Sequence, residues 1–402
     1  MNAKRFFWAL ALCLPCAMSC EKEESAAGSE VTIDLPRVAE ILAALPIGSE
    51  QVGEVHDAVS ASSLNGYDEE YTMEDLFASP GSGVGDRESK AAAREYSAPM
   101  RDLISDYLSS SETKASGLHA GTKASGGIAS PEKYLSALAA SDVQIYWPFS
   151  EKWDGTASPT ITYDPGEGYD SNVGYRLTSS GTVEEVTVDL DYAETNPVWV
   201  VNRNDDAAYT SLEMLRRSCG GGTVTIKPSP ASAGLGTKSG DGELKTLVLK
   251  EFTAKRSYDT WFAGASEFFV KCGSVEDFSA STEAELKLYS PSVTDFMIVV
   301  RRGDIGKAVN FDAVLVSEWS DQLESCGFLI TEDDGGTQTS WKCSAEVKIK
   351  SKTYGFDISL PFRTRDDIVW RGQLSGRYLE KYSGKTGHYG DIDLRFDLVT
   401  SE

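Results

Sequence analysis

The chain has 402 residues, 62 of them acidic and 38 basic, for a formal net charge of −24; 41% of residues are hydrophobic and 25% charged. These proportions suit a folded protein and exclude a wholly disordered, collagen-like or multi-span membrane chain. The acid excess also argues against nucleic acid as a partner, because phosphate binding needs clustered cations to displace counterions.

The elements begin with an export signal. Lys4 and Arg5 precede the apolar run Phe6 to Pro15, which falls short of the about 20 residues that a bilayer span requires. A basic start, a short apolar stretch and small residues predict a signal peptide over residues 1–19. Ala17-Met18-Ser19 leads into Cys20, and Glu21-Lys22-Glu23-Glu24 follows. This arrangement resembles the N-termini of surface-exposed lipoproteins of the Bacteroidota. Cys20 looks like their lipobox cysteine, and Lys22-Glu23-Glu24 looks like their surface-export signal. The resemblance covers the first 24 residues only. It implies cleavage before Cys20, acylation of Cys20 with palmitate-type chains, and an outer-membrane lipid anchor with the body facing outward. Two acyl chains on one residue anchor stably where a single chain is marginal.

Residues 20–33 read as a charged tether, and residues 34–108 as a helical region. Val38, Ile41, Leu42 and Leu45 recur at the spacing of one helix face. Pro46 and Gly48 stop that helix, and Ser49 opens a second with Val52, Val55, His56 and Val59 on its inner face. Asn65-Gly66 marks a turn, and Thr72-Met73-Glu74-Asp75 has the form of a helix start. A further helix is predicted over 96–108. Residues 109–130 repeat Thr-Lys-Ala-Ser-Gly and carry almost nothing apolar, which predicts a flexible linker. Ser130-Pro131 then supplies an N-cap and a first-turn proline.

From Val143 the hydrophobic period becomes two. Strands are expected at 143–147, 159–164, 172–178, 183–193, 198–203, 223–227, 244–254, 266–272, 284–289 and 294–301. More follow at 310–318, 327–332, 337–343, 345–350, 354–361, 367–371 and 391–399. Short strands separated by Gly/Pro/Asn/Asp clusters indicate antiparallel sandwiches. The expected fold is therefore mainly β: two antiparallel β-sandwich domains, 131–220 and 221–402, preceded by a small α-helical region. Ala345, Val347 and Ile349 are expected to face inward, with Glu346, Lys348 and Lys350 outward.

Cys219, Cys272, Cys326 and Cys343 lie beyond the signal region. Asp334-Gly335 suits a two-residue type I′ hairpin, which would set Cys326 opposite Cys343 and Phe328 opposite Trp341. The Cys326/Cys343 pair would fall at a non-hydrogen-bonded position with disulfide-compatible spacing. Cys219 and Cys272 could pair only by elimination.

Chemical motifs are sparse. His56, His119 and His388 lack metal-ligand spacing, and no CxxC occurs beyond Cys20, so neither a metal site nor a cofactor is expected. No G-x-S-x-G, P-loop or dinucleotide fingerprint appears either, and no catalytic residue is assigned. Three features remain as candidate binding loops. One is the acid- and Gly-rich stretch with Asp164, Glu167 and Asp170. The others are Asp205, after a strand, and the aromatic interruption Tyr258-Asp259-Thr260-Trp261. Exposed aromatics would favour a glycan or protein ligand. Two close carboxylates in an acidic cleft would favour a glycan hydrolase instead.

Overall fold

The computed structural model describes residues 31–78, 96–111, 130–178, 181–204, 209–218, 224–225 and 244–400. The signal region with Cys20, the tether up to residue 30, His119, Asp205 and Cys219 lie outside these residues, as does most of the expected linker. Ile33–Glu402 forms one compact unit. It is mainly β, built of several antiparallel sheets, with a few helices in the N-terminal region and others between later strands.

Several helices start where a side chain satisfies a free amide, and α1 starts with a first-turn proline instead. Helix α1 spans Leu35–Ala44 with Pro36 in its first turn. Helix α2 spans Ser49–Leu64, and Gln51 Oε1 accepts from the Gly48 N–H at 2.8 Å. Thr72 Oγ1 accepts from Asp75 N at the head of α3, Met73–Phe77. Helix α4 runs Met100–Ser111, so residues 109–111 belong to a helix rather than to the linker. Ser130 caps α5, Pro131–Ala139.

The first sheet has the order β1-β2-β6-β3-β4-β5. Its strands are β1 Glu70–Thr72, β2 Val143–Tyr146, β3 Thr160–Tyr163, β4 Ser171–Leu177, β5 Val183–Asp189 and β6 Val198–Arg203. Only the β3–β6 pairing in it is parallel. Strand β6 is buried from Val198 to Asn202, as its unbroken apolar run requires when both faces are covered. Helix α1 packs on β3, β4 and β6. On the side that Tyr146, Val198 and Val200 share, the cover is Ala193 together with Trp261 and Phe262 from far along the chain.

The second region is a sandwich. One sheet has the order β10-β9-β12-β13-β14, with β15 also on β12; the other has the order β16-β17-β8-β11-β7. The ranges are β7 Val224–Thr225, β8 Lys245–Ala254, β9 Ser266–Ser274, β10 Ser292–Val300, β11 Val309–Trp319 and β12 Leu323–Glu332. They continue with β13 Gln338–Ile349, β14 Lys352–Arg363, β15 Asp367–Ser375, β16 Thr386–Tyr389 and β17 Ile392–Thr400. Rings from the two sheets meet between them: Phe252 lies 5.1 Å from Phe268, and Phe328 lies 5.6 Å from Phe396. Ala345, Val347 and Ile349 face inward, as expected.

Several expectations change. The strand starting at 183 stops at Asp189, whose carboxylate accepts from Tyr192 N and caps α6, Leu190–Thr195. Residues 283–288 form a 3₁₀ helix with no buried residue, because Leu288 points to solvent. The runs 337–343 and 345–350 are one strand. Helices α7, Leu212–Ser218, and α8, Gly376–Tyr382, were not expected.

The Cys326–Cys343 hairpin pairing is overturned. Positive φ falls on Gly335 and Gly336, one residue later than the type I′ turn demanded. Strands β12 and β13 are ladder partners only at Leu323↔Val347 and Ser325↔Glu346. Beyond Ser325, both edges of β12 are taken, by β15 and by β9. Cys326 therefore faces Leu374, Cys343 faces Ile358 on β14, and Phe328 faces Cys272 and Gly372 instead of Trp341. Cys343 instead crosses the face of β12 at Gly327, where a Cβ would come within 2.5 Å of its Sγ. Cys272, Cys326 and Cys343 are free thiols.

Candidate functional site

The loop Ser257–Gly264 leaves the sandwich after β8 and reaches the first sheet. Trp261 and Phe262 enter that sheet's core, and Asn202 Nδ2 donates to the Phe262 carbonyl at 3.0 Å. Trp261 is therefore a core residue, 5% exposed, and no free platform for a ligand. Its Nε1 donates to the Asp170 carbonyl at 3.1 Å, so the structure does bring two of the sequence candidates together. Asp170 and Glu167 point to solvent, while Asp164 Oδ1 accepts from Gly166 N and shapes its own turn. Tyr258 stands apart from them. The Arg256 guanidinium covers its ring at 3.9 Å, and its hydroxyl donates to Asp391 at 3.3 Å.

Beneath this loop lies a constellation that sequence reasoning missed. Asp259, Glu267 and Glu332 bring carboxylate oxygens within 4.8 Å of one another, and among the described residues they are the one acid group so close. Glu332 is wholly buried and Glu267 nearly so. Burial pushes the Asp259 carboxyl above its usual range, against the opposing pull of its hydrogen bond to Glu332 and of Arg302. Two carboxyl groups in hydrogen-bond contact need one proton between them, since two ionised ones offer only acceptors. Asp334 and Asp366, on the neighbouring turns, are each pushed up to about 6, chiefly by burial.

A second buried group starts at Asp68-Glu69-Glu70. Asp68 accepts from the backbone N–H groups of Glu69 and Ala265. Gly264 must be glycine there: its φ is +142°, and a Cβ would lie 2.8 Å from Asp68 Oδ2. Glu69 Oε1 accepts from both Ser150 N and Ser150 Oγ. Burial first, then the charges of Asp68 and Glu151, raises the Glu69 carboxyl to about 8.

Arg302 joins these acids to the surface. Its Nη2 donates to the carbonyls of Asp259, at 2.7 Å, and Gly264, at 3.3 Å. It also lines an open pocket of about 470 Å³, whose other walls include Phe149, Lys152, Leu190, Glu194 and Lys307. Only the acid run at 68–70 and the Glu332-Asp333-Asp334 run could have signalled these groups. Among 62 acids neither stands out.

His56 is half-buried at the helix–sheet boundary, with ring centroids 5.7 Å from Trp147 and 5.0 Å from Trp153. His388 is exposed beside Asp393. Comparison with known proteins gives no match to a family model, a curated protein or a solved structure.

Proposed function

We propose that this chain is an outer-membrane lipoprotein, anchored through acylated Cys20 with its body facing outward, and that it binds a glycan or protein ligand rather than transforming one. The anchor half rests on the residues around Cys20. The binding half rests on one observation: the carboxylates of Asp259, Glu267 and Glu332 lie within 4.8 Å of one another at the Ser257–Gly264 loop, with Glu332 wholly buried and the Asp259 carboxyl pushed up by burial. Glycoside hydrolysis needs two carboxyl groups about 5 Å or more apart, with a sugar between them. The buried triad leaves no such space, and the open pocket beside it is walled by cations as well as acids.

Protease treatment of intact cells tests the reading. The wild-type body should be degraded from outside, and the Cys20→Ala variant should leave the membrane fraction. Protection of the wild type in intact cells, or unchanged membrane retention of the variant, would overturn it. Hydrolysis of a glycoside that is lost in Asp259→Asn would restore the enzymatic alternative.

A further inference from the structure

The pocket beside Arg302 has the attributes of a built site. Phe149, in its wall, holds φ 59° and ψ 31°, a left-handed conformation that bulky residues rarely adopt and that clusters at ligand sites. That turn stays in place because Ser150 is held by the buried Glu69 carboxyl through two hydrogen bonds, at 3.1 and 2.9 Å. The wall is therefore fixed from behind before any ligand arrives.

The polar groups around it are unevenly used. The Nε–H of Arg302 is buried and has no hydrogen-bond acceptor among the described residues. A buried donor left in that state is costly, and it marks the Arg302 guanidinium as incompletely matched by the protein's own acceptors. Lys152 and Lys307 stand at the same opening, so three cations face two acids, Glu151 and Glu194. Lys307 also pairs with Asp304 at 3.5 Å, just outside the lining, so the lining itself carries one more cation than acid in a chain of net charge −24. Leu190, Ile305 and the edge of Phe149 supply apolar wall between the charges.

We infer that this pocket binds an acidic sugar unit, its carboxylate directed to Arg302 and its hydroxyls to Glu151, Glu194 and Ser257. The inference rests on the binding half of the function proposed above. A single carboxylate suits the small cation excess, because a dianion would meet Glu151 and Glu194 with stronger repulsion. Hydroxyl donors suit those same two rim acids, which an apolar anion would leave unmatched. The volume is that of a small-ligand site.

Titration calorimetry on the purified full-length chain tests this, with D-glucuronate as probe and D-glucose as its neutral counterpart. Saturable glucuronate binding is expected, without saturable glucose binding. Lys152→Glu combined with Lys307→Glu reverses two exposed charges whose polar contacts lie at the surface, the Lys307–Asp304 pair and the Lys152 bond to the Glu194 carbonyl. The pair should weaken glucuronate binding about tenfold or more with an unchanged circular dichroism spectrum. Arg302→Gln should abolish it. That residue also holds the 257–264 loop, so its circular dichroism must match the wild type for the result to count, and the lysine pair decides otherwise. Absence of saturable glucuronate binding, equal binding of glucose, or an unchanged affinity in the lysine pair would overturn the inference. Localisation is read on cells, so failure of the anchor and failure of the pocket are separate results.

Discussion

The two β-rich regions bury very different material. The sandwich encloses an apolar core of rings and aliphatic chains from both sheets, such as Leu249, Phe252, Phe268, Phe328 and Phe396. The first sheet and its junction with the sandwich enclose acids beside their apolar residues: Glu54, Asp68, Glu69, Glu70, Glu267, Glu332 and Asp333 are all nearly inaccessible. Apolar burial stabilises in proportion to area and asks little of geometry. Buried carboxyls persist only where donors, cations or a retained proton match each of them. The first kind of interior supplies stability. The second fixes positions, and the pocket and its supporting loop lie beside it.

Perturbing each interior should separate the two. The largest effect is expected from Phe328→Ala, which empties a wholly buried site between the sheets and should cost about 3–5 kcal/mol, read by denaturant unfolding. An unchanged midpoint would contradict the packing described.

Next comes Glu69→Gln, whose effect depends on pH. The Glu69 carboxyl is raised from 4.5 to about 8 in the folded chain. Its contribution is complete below pH 4.5 and is lost as pH rises towards 8, because the folded state retains the proton longer than the unfolded one. The size is on the order of 2–4 kcal/mol. Glutamine still accepts from Ser150 but carries no proton to lose, so unfolding curves between pH 4.5 and 8 should flatten in the variant. Parallel pH profiles for variant and wild type would show that Glu69 is ionised in the fold.

Gly327→Ala sets a Cβ against Cys343 Sγ and should cost about 1–3 kcal/mol. Adding Cys343→Ala should recover most of that loss if the strands cross as described. The smallest effect is expected from Thr72→Ala, which removes the cap of α3 at a cost of about 1 kcal/mol, measurable as a small fall in Tm.

The same contrast explains what was legible beforehand. Alternation made the sandwich strands readable, because one face of each meets an apolar core: Ala345, Val347 and Ile349 stand out against Lys348. Caps were equally readable, since Thr72 and Ser130 act within three residues of themselves. The Cys326–Cys343 register failed because β9 and β15, distant in sequence, occupy the edges of β12 that the local turn assigned to β13. The acids failed for a related reason. Asp259, Glu267 and Glu332 meet through three separate segments, and nothing local distinguishes a buried Glu332 from a half-buried Glu346. The local pattern marks Trp261 as a loop residue, and it does sit in a loop. Its ring fills another sheet's core, a role that only long-range packing reveals.

The mass of the N-terminal peptide from the protein isolated from its own cells tests the central claim most directly. The account predicts a chain that starts at Cys20 and carries acyl chains on that residue. A mature chain that starts elsewhere, or at an unmodified Cys20, would contradict the assignment of this protein to the lipid-anchored cell surface.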